Sequence, residues 1–486
     1  MNGYSALTIP AAFPVRETPS PSVRVGTGWL LLPAAAQLLS SATSRSLLVT
    51  EGRHRLVLLV LVCGLFGIIV PTEIAADSEM FVSRTILSIP PHYALTAFTV
   101  ALALLADARY YARVLTRPLV AVGLVFLSFA LINGAIRYGF RSYLVRSDIY
   151  IIRWFIVGFM LMRLAIAAGM LRPYLVFAAI VILLTAYGID TKNTEGGEVN
   201  TAIKRATSSN LWPVINCGTI MIGLLLTVAW PRSWFYATIS TTAFAANFFA
   251  GSIRTSTRSM FVVQAISFVL ILIALGRDPR MRGRGQGLRR VAVGGAVVAV
   301  LLLVYQIGRG ELLGGYSQIA DRLRDTSVES GTGGARIHEA LDMLQKMEPD
   351  EWVLGRGLGG MFYSTLGAWF NVPHIAVLGW LQKGGLVVFG WVLLTVYIAP
   401  TLAFFRQLAR PRQWSSLPPP ILIVGPMLVS WCVLTLISGG IDIGSFLGLG
   451  GLTALWMQLA DDDQVFQASR RGASPARPGQ RVHVGL

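Results

Sequence analysis

The chain has 486 residues, is 54% hydrophobic and only 13% charged, and has a mean hydropathy of +0.61. A soluble domain carries about twice that charged fraction, which excludes a soluble protein with a single anchor. The basic excess, 41 Lys+Arg against 24 Asp+Glu, is scattered between apolar runs and forms no stripe, which excludes nucleic acid as a partner.

Uncharged runs recur along the whole length and must satisfy their own backbone hydrogen bonds. The expected fold class is therefore an all-α polytopic membrane protein with about twelve transmembrane helices and one large loop containing short helices. Alternating ten-residue stretches, the mark of an outer-membrane barrel, are missing. In chain order, residues 1–54 read as a cytoplasmic segment, disordered up to about Thr27 and interfacial over Trp29–Val49. No cleavable signal peptide is expected. Nine spans are expected within 55–307: Leu56–Val70, Tyr93–Ala106, Val120–Ala135, Tyr150–Leu171, Tyr174–Ile189, Leu211–Ala229, Trp234–Phe249, Met260–Leu275 and Val291–Ile307. The large loop fills 308–383. Three more spans occupy 384–460, at Gly384–Phe405, Ile421–Ser438 and Phe446–Leu459, and a basic, disordered tail covers 461–486. Cys63, Cys217 and Cys432 each sit in an apolar run and read as small buried hydrophobes.

Arginines set the expected orientation. Arg45, Arg53 and Arg55, the Arg109–Arg117 loop, the Arg277–Arg290 loop, Arg406–Arg412 and the C-terminal tail all fall on one side of a twelve-span chain. The positive-inside rule makes that side the cytoplasm, with both termini there and the 308–383 loop outside. Arg137, Arg141, Arg146, Lys204, Arg205, Arg254 and Arg258 then lie on the disfavoured side. An anionic substrate at the outer leaflet is the simplest reason; the plainer alternative pairs them with Asp148, Glu195 and Glu198. None of the expected spans has Asp or Glu in its interior, which argues against ion-coupled transport. Arg153 and Lys383 are expected to snorkel outward, and Arg163 lies deeper.

Five stretches are candidates for chemistry. Phe249–Arg258 places Arg254 and Arg258 among hydroxyls at a helix start, a ready anion site or an ordinary interfacial loop. Ala335–Met347 has apolar residues at Ile337, Leu341 and Leu344 and reads as an amphipathic helix on the membrane face. Arg336 in its first turn is either a ligand group or a weak surface pair with Glu339. Gly355–Gly360 either presents backbone N–H groups to phosphate or is a turn requiring positive φ. His374 opens the helix that follows the loop, with Gly384 and Gly385 offering a bend or a close contact. Asp461, Asp462 and Asp463 read as a solvated charge run.

The order of these pieces resembles the O-antigen ligase and Wzy-type polymerase family, bacterial polytopic glycosyltransferases of the GT-C class. STRSMF at Ser256–Phe261, ARIHEALDMLQKMEPDEWVLGRGLG at Ala335–Gly359 and PHIAVLGWLQKGG at Pro373–Gly385 carry the resemblance, although Ile375 stands where the family pattern has Asn. The resemblance implies a bacterial inner-membrane location with a periplasmic active site. It implies an undecaprenyl-diphosphate-linked oligosaccharide as donor and a glycan or lipid A core as acceptor. Membrane lipid and a chain-length regulator protein are the further partners it implies. Arg258, Arg254, Arg336 and Arg356 would bind the diphosphate, with His374 and Arg336 catalytic, and no metal or cofactor would be needed. The rival class is a lipid-glycan flippase.

Overall fold

Uncharged runs leave the backbone no partner but itself, and here they close as helices. The computed structural model describes residues 52–71, 91–140, 142–194, 201–230, 233–251, 258–278, 332–363, 369–370, 373, 375–409, 419–437 and 442–470. All belong to one unit, Ser46–Leu486. In order they form α1 Gly52–Ile69, α2 Pro91–Leu115, α3 Pro118–Tyr138, α4 Tyr143–Ala167, α5 Leu171–Thr194, α6 Thr201–Ala229, α7 Trp234–Phe249 and α8 Arg258–Arg277. The loop contributes α9 Thr332–Gln345, α10 Pro349–Leu354 and a minimal antiparallel hairpin, β1 Phe362–Tyr363 with β2 Trp369–Phe370. Next come α11 Val377–Val392, a π-helical turn Leu393–Ile398, α12 Ala399–Ala409, α13 Pro420–Ile437 and α14 Ile443–Arg470.

Each expected span falls on one of these helices except Val291–Ile307, which lies outside the described residues together with the N-terminal 51 residues. Among the described residues, seven helical runs are long and apolar enough to cross a membrane. They are α1, α3, Leu144–Ala167, Leu171–Ile189, Leu211–Ala229, Val377–Ala409 and α13. The chain is a helical, polytopic membrane protein.

Burial sorts the helices. α6 is the axle, with Leu211–Trp230 almost wholly inside, and α13 is nearly as enclosed. α3 is peripheral and exposes Leu119, Val125, Ile132 and Ile136, as a lipid-facing helix does. Small residues let the inner helices touch. A Cβ on Gly158 would lie 2.0 Å from the Leu447 carbonyl oxygen, and one on Gly450 would lie 2.0 Å from that of Phe155, so α4 and α14 meet backbone to backbone.

Two charge pairings join these helices, and the second corrects an expectation. Asp107 lies inside α2, one residue past the expected span, where the backbone leaves helical angles and its Oδ1 accepts the Tyr110 N–H at 3.3 Å. Arg163 of α4 bonds Asp107 and Gln458 and sits 3.7 Å from the Tyr110 ring centroid, so this carboxylate is paired. Arg153 and Lys383 do not snorkel. Arg153 is buried against the rings of Tyr93, Tyr150 and Trp154, and buried Lys383 lies 2.8 Å from Asp148 Oδ2.

Paired charges mark the two ends of the bundle. Arg117, just before α3, binds Asp461 of α14 at 2.6 Å. At the other end of α3, Arg137 binds Asp350 at 2.6 Å and Glu351 at 2.9 Å. The 21 residues of α3 separate these layers by about 31 Å, close to the hydrocarbon thickness of a bilayer. Asp461 is therefore not merely solvated, and Arg137 pairs with loop carboxylates, though not with the ones expected.

Candidate functional site

Four elements converge at the Arg137 end. Leu270 and Ala274, late in α8, pack with Leu422, early in α13. Val263, early in α8, shares a cavity wall with Leu434, late in α13. The two helices are therefore antiparallel, and the α8 start at Arg258 is level with the α13 end at Ile437. α14 begins nearby at Ile443, and Trp380 in the first turn of α11 lies 6.3 Å from the Phe446 ring.

Arg336 joins this end. It lies in the second turn of α9, which begins three residues before the expected start, and its Nη1 donates to the Ile437 carbonyl, the last of α13. A cation suits that position because the unpaired carbonyls at a helix C-terminus carry partial negative charge. α9 buries Glu339, Ala340 and Met343 while Ile337 and Leu341 stay 43% and 45% exposed. A helix that turns a carboxylate inward and two aliphatic side chains outward fits an apolar surround on its outer side. Met343 and Met347 seal it against Leu381 of α11 and Phe362.

The Gly355–Gly360 turn is different. Gly355, Gly357 and Gly359 all have positive φ, which is why they are glycine. Its N–H groups are all taken. Gly355 donates to Glu351 O, Arg356 to Gln382 O, Gly357 to Lys383 O, Leu358 to Ala130 O and Gly360 to Gly357 O, at 2.7–3.2 Å. Gly359 donates to Asp148 Oδ2 at 2.6 Å. No donor remains to cradle phosphate, so the turn is a plug between α3 and α11. Glycines line both sides of the seam: a Cβ on Gly355 would lie 2.5 Å from Gly385 N, and Gly385 itself breaks α11 at φ 66°. The bend and the close contact expected at Gly384–Gly385 both occur.

Arg356 is consumed by the same plug. Nε donates to Glu351 Oε2 at 2.8 Å, Nη1 to Met361 O at 2.7 Å and Nη2 to Lys346 O. Glu351 also accepts from Arg137 and from the Glu348 N–H, closing a capping box on α10. Lys383 completes the clamp with 2.8 Å contacts to Asp148 Oδ2 and Gly360 O. Arg356 is a brace in this structure, not a group offered to a ligand.

Of the other expected site residues, Arg258 opens α8, and Arg254 and His374 lie outside the described residues. Pro373 and Ile375 on either side of His374 are described, and Ile375 packs against the core below. Sequence reasoning missed Asp442. It caps α14, its Oδ1 accepting the Ser445 N–H at 2.7 Å, and its Oδ2 takes the Asn216 amide at 2.6 Å. Burial raises its pKa, opposed by the hydrogen bonds from Ser445, Asn216 and Gly444. An Asp three residues before Ser, ahead of an apolar run, is a legible cap signal.

No family model matches the chain, and no curated protein or solved structure is found to be similar to it.

Proposed function

We propose that the chain is a glycosyltransferase of a bacterial inner membrane, with about twelve spans, both termini cytoplasmic and the α9–α11 end periplasmic. It moves a glycan from undecaprenyl diphosphate onto an acceptor hydroxyl of another lipid-linked repeat unit. The observation that carries this reading is the antiparallel packing of α8 and α13, which sets the helix start at Arg258 and the docking point of Arg336 at one end of the bundle. Guanidinium groups match phosphate oxygens in geometry and stay charged at any working pH. Arg336 and Arg258, with Arg254, hold the diphosphate; Arg356 is left out of the set.

In the reaction the acceptor oxygen attacks the anomeric carbon of the donor. The carbon–oxygen bond to the diphosphate breaks, and the diphosphate leaves with the electron pair. His374 takes the hydroxyl proton. The arginines stabilise charge on the leaving group, the larger demand for so good a leaving group. A ligase would run the same steps with lipid A core as acceptor.

The test is the surface glycan of a deletion strain complemented with variants. Polymerase loss leaves single repeats on the core. Ligase loss leaves long chains on the lipid carrier, and a flippase defect strands repeats on the inner leaflet. Arg336→Ala and Arg258→Ala should each cut transfer by about a hundred-fold or more with near-normal protein in the membrane. Full transfer by both variants would sink the diphosphate site.

A further inference from the structure

Four arginines gather where α2 ends, and they are used in two ways. Arg163 is paired with Asp107, and Arg117 with Asp461. Arg109 and Arg113 meet no carboxylate among the described residues. The backbone leaves helical angles at Asp107, and the piece of α2 beyond that break is two-sided. Its inner side is pinned: Tyr110, Tyr111 and Val114 are buried, Tyr110 under the Arg163 guanidinium and Tyr111 against Phe159. Its outer side exposes Arg109 and Arg113.

Residues four apart on a helix are neighbours, with about 5–6 Å between their Cβ atoms, and like charges so placed repel. The carbonyl end of a helix welcomes a cation, and Arg113 meets that need, its Nε donating to Arg109 O at 3.4 Å. The Nη groups of Arg113 and the whole Arg109 fork are left without an acceptor among the described residues. Just before the break Leu104 is exposed and Leu105 is 78% exposed, an apolar margin beside the two cations. The Arg117–Asp461 layer lies at one edge of the hydrocarbon slab, where lipid headgroups begin. Arg53 and Arg55, exposed at the start of α1, add positive charge at this end: Arg55 Nη1 lies 3.9 Å from where a Cβ on Gly169, just past α4, would stand.

We propose that Arg109 and Arg113 hold the phosphate of an anionic phospholipid, its headgroup between the two guanidinium forks and its acyl chains along Leu104 and Leu105. Guanidinium N–H groups match phosphate oxygens in pairs, and the phosphate relieves the repulsion between the two side chains. A zwitterionic lipid would bring its own ammonium to a place that already holds two positive charges; an anionic one does not. The lipid fastens the piece of α2 beyond the Asp107 break. This site is at the opposite end of the bundle from Arg336 and stands apart from glycan transfer.

The experiment is thermal unfolding of the purified full chain in detergent micelles carrying phosphatidylglycerol, or phosphatidylcholine with the same acyl chains, or inorganic phosphate alone. Phosphatidylglycerol should raise Tm by several degrees, saturably, over phosphatidylcholine, as any ligand of the native state does. High salt should shrink the difference. The double variant Arg109→Gln, Arg113→Gln should melt alike in both lipids. Arg109→Gln alone should weaken the shift several-fold and serves if the double variant does not fold. Arg117→Gln removes the same charge from a paired position and should keep the shift. Equal melting of the wild-type chain in the two lipids overturns the proposal. So does a shift that the Arg109 and Arg113 variants keep, one that Arg117→Gln loses as fully, or an equal shift from inorganic phosphate. Because melting needs no glycan, this result and the Arg336 result stand or fall separately.

Discussion

Two neighbouring parts of the same loop place arginine differently. In the Gly355–Gly360 turn, Arg356 and the backbone donors are spent on Glu351, Met361, Lys346, Gln382, Lys383, Ala130 and Asp148. On α9, Arg336 reaches to the end of a helix on a face whose neighbours Ile337 and Leu341 are exposed. Saturation marks the first as a clamp. The second sits at the rim where four helices end. The contrast teaches that a glycine-and-arginine motif tells of ligand binding only after its donors have been counted.

The sharpest way to break this contrast is Arg356→Ala. It removes one of the two arginines that pair buried Glu351, takes the donor from the Met361 and Lys346 carbonyls, and should cost about 3 kcal/mol, read as a large drop in Tm in detergent and little protein in the membrane. A normal melt with lost glycan transfer would reverse the roles assigned to Arg356 and Arg336. Gly357→Ala comes next. Its φ is 80°, and a Cβ would lie 2.2 Å from the Gly134 nitrogen. The expected cost is about 1–3 kcal/mol for the backbone conformation alone, more with the collision, again read by melting. His374→Ala should lower the transfer rate by about a hundred-fold and leave Tm unchanged; an unaltered rate would make it a packing residue. At the far end of α3, Arg117→Ala should matter least. Both partners in its pair with Asp461 are 33% exposed, and such pairs contribute under about 1 kcal/mol. A loss as large as that of Arg356→Ala would mean that the two charged layers are equally structural.

The helices were legible because an uncharged run in a membrane has one solution. What the sequence hid were the partners. Asp148 reads as a loop carboxylate until Lys383 and Gly359, more than 200 positions on, are brought to it by the fold. The glycine turn shows that N–H groups can be presented, not that Ala130 and Gln382 arrive to accept them. Asp107 and Arg163 stand 56 positions apart and become a pair only through the fold. Asp442 is legible as a helix cap, but it stands four residues ahead of Phe446, where the apolar run of the last span begins.

Val377–Ala409 is an apolar run of 33 residues, about 50 Å if straight, some 20 Å more than the oily slab it traverses. The glycine break at 385 absorbs part of that surplus by letting the leading two turns swing off the helix axis. The segment carrying Trp380 and Lys383 is held off that axis by its seam with the loop, where the Gln382 and Lys383 carbonyls accept from Arg356 and Gly357.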